Sequence, residues 1–406
     1  MVVNSLWVKS KTHEKPIRIM DFRGSYKGGG GPEKTILNSA AQHDSEKVDV
    51  LVTYLRDPSD HEYIIDTWAK SLGIKYVDVP DAKVFDLSCV NKLKHLINEH
   101  DIQLIHSHDD KTLLYGWILK KMRPNVRIMY TCHSHAPYTR QDFDTFSAYL
   151  RFYLRSKIQI FLMKKFQKPV LTIAHHTKGS LVADGLKTEN VEVLHNGIDI
   201  EQWQADKGKP VLRQELDIPP DTLVVGTVAR IARKVKDLPT FYRVAAEVVK
   251  QIPNVKFVIV GEGHGDLLDL AKKEVADLGL SDTIFFTGHR TDLLDIYSSF
   301  DIFFMTSRSE GMPNTVLEAM AMELPVVSTK VGGVPEIITD DTMGLLAPIG
   351  DVKALGEKLS LLLSDSEKRK KMGDVARQRI EEQFFFANRV RAMEDYYERF
   401  VNDSVC

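Results

Sequence analysis

Two glutamates stand eight positions apart at a predicted junction between a strand and a helix. Glu310 follows the apolar residues 301–305, and Glu318 falls about one turn into a helix whose start is marked by Pro313. Free N–H groups of a first helical turn bind anions, so they can hold a diphosphate while the two carboxylates accept sugar and ribose hydroxyls. These features suit a nucleotide-sugar. Alternatively, Glu310 only complements the helix dipole and Glu318 is a solvated helix residue.

Four cations follow the predicted strand at residues 223–228. They are Arg230, Arg233, Lys234 and Lys236. Cations at the carboxyl end of a strand can clamp a diphosphate. A solvated basic loop is the alternative interpretation.

Two glycine-rich turns each follow a predicted strand and precede a helix. The first, residues 28–31, runs into Pro32, and its glycines would let backbone N–H groups approach an anion. A flexible turn explains that segment equally well. The second, residues 261–265, includes Gly263 and resembles a dinucleotide fingerprint, but Asp266 replaces the last glycine. We expect a tight turn near a nucleotide there and no nicotinamide site.

Histidines end two neighbouring predicted strands. His133 follows residues 126–131, where it could hydrogen-bond a substrate or move a proton, although a structural histidine is the commoner case. His106 and His108 end the preceding strand, but no acidic or thiol pattern completes a tetrahedral set. We therefore predict no metal held by the protein, and we interpret the D-x-D sequence at residues 142–144 as chance.

Alternating strands and helices must position these side chains. The strand candidates are short and rich in Val and Ile, as buried parallel strands are. They cover residues 17–22, 48–54, 74–79, 102–106, 126–131, 170–174, 223–228, 255–260, 283–287, 301–305 and 325–328. This alternation predicts an α/β fold with parallel sheets, and ligands of such sheets bind at the carboxyl ends of the strands.

A turn-rich stretch around residues 196–222 separates two halves of similar size. We therefore expect two Rossmann-like domains facing a cleft. The first comprises residues 1–205, and the second comprises residues 206–384. Residues 352–401 are predicted to form consecutive helices, and the last helix, within 385–406, is expected to cross back to the first domain.

The composition is that of an ordinary globular protein. The 406 residues include 54 basic and 56 acidic side chains, for a net charge of −2, which argues against a nucleic-acid binder. Three cysteines are too few for a disulfide framework. The sequence shows neither a signal peptide nor an apolar segment long enough to span a bilayer, so we expect a cytoplasmic protein.

One region is strongly basic. Residues 145–183 contain no acidic side chain, and residues 149–166 are predicted to form a helix with cations over about half of its circumference. A core helix with a basic outer face is one interpretation. The other is peripheral contact of residues 149–168 with anionic lipid.

Taken together, these segments resemble the retaining GT4-type glycosyltransferases of the GT-B fold, also called glycosyl transferases group 1. The most specific segment is 310–321, which is similar to the family signature E-G-x-P-x-x-x-x-E-A-x-A. Supporting segments are residues 30–34, residues 196–199, Arg230 with Lys236, and residues 332–336.

The resemblance implies catalytic roles for four positions and a ribose contact for a fifth. Arg230 and Lys236 would hold the donor diphosphate, Glu310 would face the donor sugar, and His133 would contact that sugar. Glu318 would accept hydrogen bonds from the ribose. The loop between the two cations is one residue longer than in many relatives, so a second lysine there could share the role of Lys236.

The resemblance also implies further donor contacts. Gly31 would approach the diphosphate, amides from residue 311 to residue 314 would line the sugar and phosphate pocket, and residues 288–290 would lie beside the base. The positions concerned are Gly30, Gly31, Gly263, His289, Arg290, Gly311, Met312, Pro313, Asn314 and Thr315.

The implied reaction moves a hexosyl unit from a nucleotide-diphosphate sugar to a saccharide or lipid-linked acceptor in surface polysaccharide synthesis. UDP is the first expectation for the nucleotide and GDP the second. The first domain would bind the acceptor and the second the donor. Configuration would be retained, with no metal or other cofactor. The alternatives are an epimerase or hydrolase on the same fold, an inactive nucleotide-binding scaffold, and a dehydrogenase, which the failed fingerprint disfavours.

Overall fold

The computed structural model describes most of the chain. It describes residues 15–24, 30–60, 63–81, 85–135, 140, 143, 145–165, 169–231, 235–263 and 265–402. Some residues singled out from the sequence lie outside these ranges: Gly28, Gly29, Asp142, Asp144, Phe166, Lys168, Arg233, Lys234 and His264.

Seven strands of the described chain form the first sheet, in the order β3-β2-β1-β4-β5-β6-β7. They are β1 (Ile17–Gly24), β2 (Val48–Arg56), β3 (Lys75–Pro80), β4 (Leu104–Ser107), β5 (Arg127–Cys132), β6 (Val170–Thr172) and β7 (Val191–Val193). The accompanying helices are α1 (Gly31–Gln42), α2 (Ile65–Ser71), α3 (Leu87–Glu99), α4 (Asp110–Met122), α5 (Phe146–Lys165) and α6 (His175–Ala183). The described pairings are parallel.

Six strands of the described chain form the second sheet, in the order β10-β9-β8-β11-β12-β13, again with parallel pairings. They are β8 (Leu223–Val228), β9 (Val255–Val260), β10 (Ile284–Gly288), β11 (Ile302–Met305), β12 (Val326–Thr329) and β13 (Leu345–Ala347). The α-helices that follow α6 along the chain are α7 (Val211–Glu215), α8 (Leu238–Val249), α9 (Leu267–Asp277), α10 (Leu293–Ser298), α11 (Asn314–Ala321), α12 (Val334–Ile337), α13 (Val352–Ser364), α14 (Ser366–Gln383) and α15 (Phe386–Asn402).

In strand β11, successive residues are all apolar and do not alternate with polar ones. Ile302 and Phe304 pack into one hydrophobic cluster, while Phe303 and Met305 pack into another. All four side chains are at most 3% exposed. Because both faces of the sheet are covered, each residue of the strand is apolar, as in parallel sheets generally.

Contacts along the chain define two compact units. One comprises Met1–Thr131 with Val390–Cys406, and the other comprises Cys132–Arg389. In the first unit, a core cluster includes Met20, Ile105 and Tyr115. The predicted domain boundary between residues 205 and 206 stays a prediction.

The predicted α/β class with two parallel sheets is confirmed. Predicted bounds for β8 and β9 match the structure residue for residue. Strands β7 and β13, which are three residues long each, were not predicted from the sequence. Among the described residues, no helix has both the length and the apolar character needed to cross a bilayer.

Candidate active site

Glu310 lies in the loop after β11 and is paired with Lys236. The distance from Lys236 Nζ to Glu310 Oε1 is 2.7 Å. The lysine side chain is 25% exposed and the glutamate 11%, so solvent only partly screens the pair. Strands β8 and β11 are parallel neighbours. Their carboxyl ends therefore meet at one edge of the sheet, which brings these two loops together.

The loop after β11 also fixes the backbone around Lys236. The Thr306 hydroxyl lies 3.1 Å from the carbonyl oxygens of both Lys236 and Asp237. The Arg308 N–H donates to the carbonyl of Val235 at 2.8 Å. Asp237 adopts a left-handed conformation, with φ 46°, just before α8 begins. These contacts fix the backbone from which the Lys236 side chain reaches Glu310.

Backbone from three segments packs too closely at Gly311 to admit a side chain. A Cβ there would lie 2.1 Å from the carbonyl oxygen of His133. Gly332, with φ 54°, would place a Cβ 2.0 Å from the carbonyl oxygen of Glu310. The Gly333 N–H donates to the Gly311 carbonyl at 2.6 Å. Close backbone packing therefore joins three segments: the residue after β5, the Glu310 loop and the turn before α12. It places the backbone of His133 against the Glu310 loop.

Asn196 holds the start of α11. Its side-chain nitrogen lies 2.9 Å from Oδ1 of Asn314 and 3.3 Å from the carbonyl oxygen of Met312. Asn196 is only 5% exposed. Pro313 occupies the N-cap position in extended conformation, and Thr315 lies in the first turn. The first-turn amides of a helix fixed in this way form an anion-binding end.

Glu318 is a buried residue of α11, with 1% exposure. This excludes the alternative in which it is a solvated helix residue. The Tyr297 hydroxyl donates to Glu318 Oε2 at 2.8 Å. Burial, together with the neighbouring carboxylate, raises the pKa of Tyr297 well above its usual value, so the hydroxyl remains a donor. The sequence alone gave no signal for Tyr297 as the partner of Glu318.

Loops at the carboxyl ends of β8, β9 and β10 are joined by bridges. Ile231 pairs with Gly263, and Gly261 pairs with Gly288. Arg230, next to the first bridge, is exposed, as is His289, next to the second. The structure therefore places Arg230, Gly263 and His289 along one edge of the second sheet.

Arg290 is already engaged by two carboxylates. Its guanidinium donates to Asp292 at 2.8 and 2.5 Å and to Glu215 at 2.7 and 3.0 Å. Hydrogen bonds to Asp292 first and to Glu215 second raise the pKa of Arg290 above its usual value. These contacts fix the turn that contains His289. The predicted place of Arg290 beside the nucleotide base stays a prediction.

Gly30 and Gly31 belong to the other unit, where Gly30 is the N-cap residue of α1. Arg23 Nε lies 2.5 Å from Glu33 Oε1 and ties this helix start to the end of β1. Burial opposes ionisation of Glu33, but Arg23 and the hydrogen bonds lower the pKa of the carboxyl below its usual value. Contact of this turn with a diphosphate stays a prediction.

Among the described residues, two groups of side chains have donor atoms that converge within 4.8 Å and could hold a metal. One is buried and one is partly exposed. The sequence indicated His106 and His108 as possible metal ligands but neither Asp21 nor the second group, because the members come from distant strands and helices. They are Asp21 with His106 and His108, and His175 with His195 and Glu336. The prediction that the reaction uses no metal held by the protein stays a prediction.

Two family profiles match the chain. The one described as "Glycosyl transferases group 1" matches residues 208–379, and the one described as "Glycosyltransferase Family 4" matches residues 29–202. With its two parallel α/β sheets, the protein has the GT-B fold. The chain belongs to the GT4-type glycosyltransferases and is a transferase enzyme.

Individual relatives agree with this assignment. CapM of Staphylococcus aureus, a capsular polysaccharide biosynthesis glycosyltransferase, is 25% identical over 79% of this chain and 82% of its own length. An Escherichia coli UDP-Gal:alpha-D-GlcNAc-diphosphoundecaprenol alpha-1,3-galactosyltransferase is 23% identical over 86% of each chain. The crystal structure of Anabaena HepE with UDP and glucose superposes with a TM-score of 0.80 at 20% identity, over 94% of this chain and 99% of that one.

Proposed function

We propose that this enzyme transfers a hexosyl unit from a nucleotide-diphosphate sugar to a saccharide or lipid-linked saccharide acceptor, with retention of configuration. The observation that carries the proposal is the Lys236–Glu310 pair, 2.7 Å apart beside the N-terminal end of α11. A cation and a helix N-terminus suit a diphosphate, and a neighbouring carboxylate suits sugar hydroxyls.

UDP is the first candidate for the nucleotide. HepE was crystallised with UDP and glucose, and the E. coli relative is named for UDP-Gal. GDP is the second candidate. The names of CapM and of the E. coli relative support a polysaccharide or a lipid-linked saccharide as the acceptor.

In the proposed reaction, the bond between the anomeric carbon and the diphosphate oxygen breaks as the acceptor oxygen bonds to that carbon. Negative charge grows on the leaving diphosphate, where Arg230, Lys236 and the amides of α11 stabilise it. The acceptor attacks from the face of the leaving group, so configuration is retained. The acceptor proton passes to the departing diphosphate. No step requires a metal, so transfer is expected to persist in EDTA.

Substitutions of the ion pair test this proposal, with donor-dependent transfer as the assay. Lys236→Ala should lower kcat by about 10²–10³-fold, as loss of a transition-state donor does. Glu310→Gln removes the negative charge that accepts sugar hydroxyls and pairs with Lys236, and it should lower kcat by about the same factor. The matched control is the exposed pair of Lys250 and Glu247, 2.8 Å apart on the surface of α8 and just beyond its end. Lys250→Ala and Glu247→Gln should leave transfer unchanged.

Wild-type turnover in both Lys236→Ala and Glu310→Gln would show that the site is wrongly assigned. Release of free sugar at equal rates with and without acceptor would favour a hydrolase instead. Stereochemistry is read separately, from the NMR coupling constants of the product. An inverted product would refute the retaining step alone.

We further propose that α5 rests on an anionic membrane surface. Six large apolar side chains of this helix are 42–63% exposed, and at about 100° per residue they span an arc of about 140°. They are Phe146, Leu150, Tyr153, Leu154, Ile158 and Phe161. An arc of this kind on one surface helix favours burial in a lipid interface.

Charge favours an anionic lipid as the occupant. The exposed cations of α5 include Arg151 and Arg155, and the helix contains no acidic residue. Lys157 lies over the ring of Tyr153 at 5.3 Å, and Lys165 lies over a second aromatic ring at 5.4 Å. When the apolar side chains of such a helix enter a lipid interface, the long basic side chains beside them can extend to the lipid headgroups.

Vesicle sedimentation tests this second proposal. Vesicles containing phosphatidylglycerol should bind the enzyme, and phosphatidylcholine vesicles should bind it much less. Leu154→Glu should abolish binding, whereas Leu361→Glu is the matched control, since Leu361 is similarly exposed, at 47%, on α13. Equal binding to both vesicle types, or unchanged binding by Leu154→Glu, would contradict the proposal.

A further inference from the structure

We infer that His175, His195 and Glu336 form a binding site for a divalent transition-metal ion such as Zn²⁺. The three side chains come from the start of α6, the segment after β7 and α12, all within the unit Cys132–Arg389. Their donor atoms lie within 4.8 Å of one another. The three side chains are different from those of the Lys236–Glu310 pair, so the inference goes beyond the proposed transfer reaction.

The Glu336 carboxylate is already oriented by backbone donors. The N–H of His175 donates to Oε2 at 2.8 Å, and the N–H of His176 donates to Oε1 at 2.9 Å. Burial opposes ionisation, but hydrogen bonds from His195 and from these two amides lower the pKa of Glu336 below its usual value. The group is therefore an anion at neutral pH, and outer contacts of this kind fix a metal-binding carboxylate in place.

The spacing of the donors suits a tetrahedral ion. His195 Nε2 and Glu336 Oε2 are 3.0 Å apart, close to the ~3.3 Å that separates two ligands bound at ~2.0–2.1 Å from Zn²⁺. A metal would take the place of the proton that these two atoms share. The more distant donors, at 4.8 Å or less, would have to approach by at most about 1.5 Å.

His175 is able to make that adjustment. Its side chain is exposed, and its ring stands edge-on to that of His195, with centroids 5.6 Å apart. Within the described part of the chain, its ring nitrogens have no hydrogen-bond partner. Rotation of this ring toward the ion therefore breaks no existing hydrogen bond.

The buried group is a poorer candidate for the same ion. In that group, Nδ1 of His106 lies 3.0 Å from the Tyr397 hydroxyl, and Nε2 lies 2.7 Å from the Thr131 hydroxyl. Both ring nitrogens of His106 are thus committed to hydrogen bonds.

The ligand types of the partly exposed group indicate which ion it would bind. Its two imidazoles and one carboxylate favour Zn²⁺, Ni²⁺ or Co²⁺ over Mg²⁺, which prefers oxygen ligands.

Metal titration of the full chain tests the inference after the protein has been stripped of metal. Zn²⁺ binding is followed by calorimetry and Co²⁺ binding by visible absorption, with Mg²⁺ for comparison. One Zn²⁺ should bind per chain. His175→Ala and His195→Ala should each weaken binding by at least the ~10–100-fold that loss of an outer-shell partner costs.

His176→Ala is the matched control. His176 is exposed on the same turn, but its side chain is outside the converging group, so binding should be unchanged. His175→Ala removes an exposed ring with no hydrogen bond of its own in the described structure, so folding should be intact. No Zn²⁺ binding, unchanged binding in both ligand variants, or loss of binding only in His108→Ala would overturn the inference.

Discussion

Replacement of Gly311 by alanine tests whether transfer requires the close packing of the backbone after β5 against the Glu310 loop. A Cβ at this position would lie 2.1 Å from the carbonyl oxygen of His133, whereas real Cβ contacts essentially never fall below 3.0 Å. The two backbones would therefore have to separate by at least about 0.9 Å, a displacement that can cost about 10²-fold in rate. That factor corresponds to about 2.7 kcal/mol in the activation free energy.

The assay is kcat/KM for transfer with the donor varied, together with the thermal unfolding midpoint. Gly311→Ala should lower kcat/KM by about 10²-fold and destabilise the fold by about 1–3 kcal/mol, as overpacking does. Gly179→Ala is the matched control, because a Cβ at that helical position meets nothing within 4 Å. The control should keep full activity. Equal activity of Gly311→Ala and wild type would refute the reasoning.

Further predictions concern the starts of α1 and α11 and the buried carboxylate of Glu318. Glu33→Gln should destabilise the protein by about 3 kcal/mol at pH 7, because it leaves the guanidinium of Arg23, whose side chain is only 16% exposed, without its carboxylate. The pKa of Glu33 is lowered by folding, so this difference should shrink below about pH 4.3; an unfolding free-energy difference that is the same at pH 3.5 and pH 7 would contradict it. Glu318→Gln should weaken nucleoside-diphosphate binding by about 10–100-fold in calorimetry, since hydrogen bonds to charged groups are worth about 1.5–3 kcal/mol, and unchanged affinity would remove Glu318 from the site. Asn196→Ala removes two hydrogen bonds at α11 and should lower the unfolding free energy by about 1–3 kcal/mol in urea titration; no change would show that Asn196 does not hold the helix start.

The sequence predicted the strands well where both faces are buried. In β8 and β9, the apolar segment of the sequence begins and ends where the strand does. The reason is that a parallel strand with helices on both faces of its sheet needs apolar residues on both sides. The short strands β7 and β13 carry too few residues for such a pattern. Each of them pairs with the strand that precedes it in the chain, and a pattern of three residues does not reveal that pairing.

The position of candidate site residues was predictable where they lie together on one loop. Glu310 and Pro313 could be placed on a strand-to-helix loop from sequence because the junction is local. The burial of Glu318 and its contact with Tyr297 depend on how α10 packs against α11, which no local pattern encodes. The same holds for Glu336, whose three hydrogen-bond donors are 141 to 161 residues away.

Nucleotide binding to wild type and to Lys236→Ala is the most direct test of the proposed donor site. At 100 times its dissociation constant, a ligand stabilises the folded state by about 2.7 kcal/mol, which a thermal-shift measurement resolves. We predict that UDP, or failing that GDP, raises the melting temperature without magnesium, and that most of this increase is lost in Lys236→Ala. Stabilisation by NAD alone, or an equal shift in wild type and variant, would contradict the account.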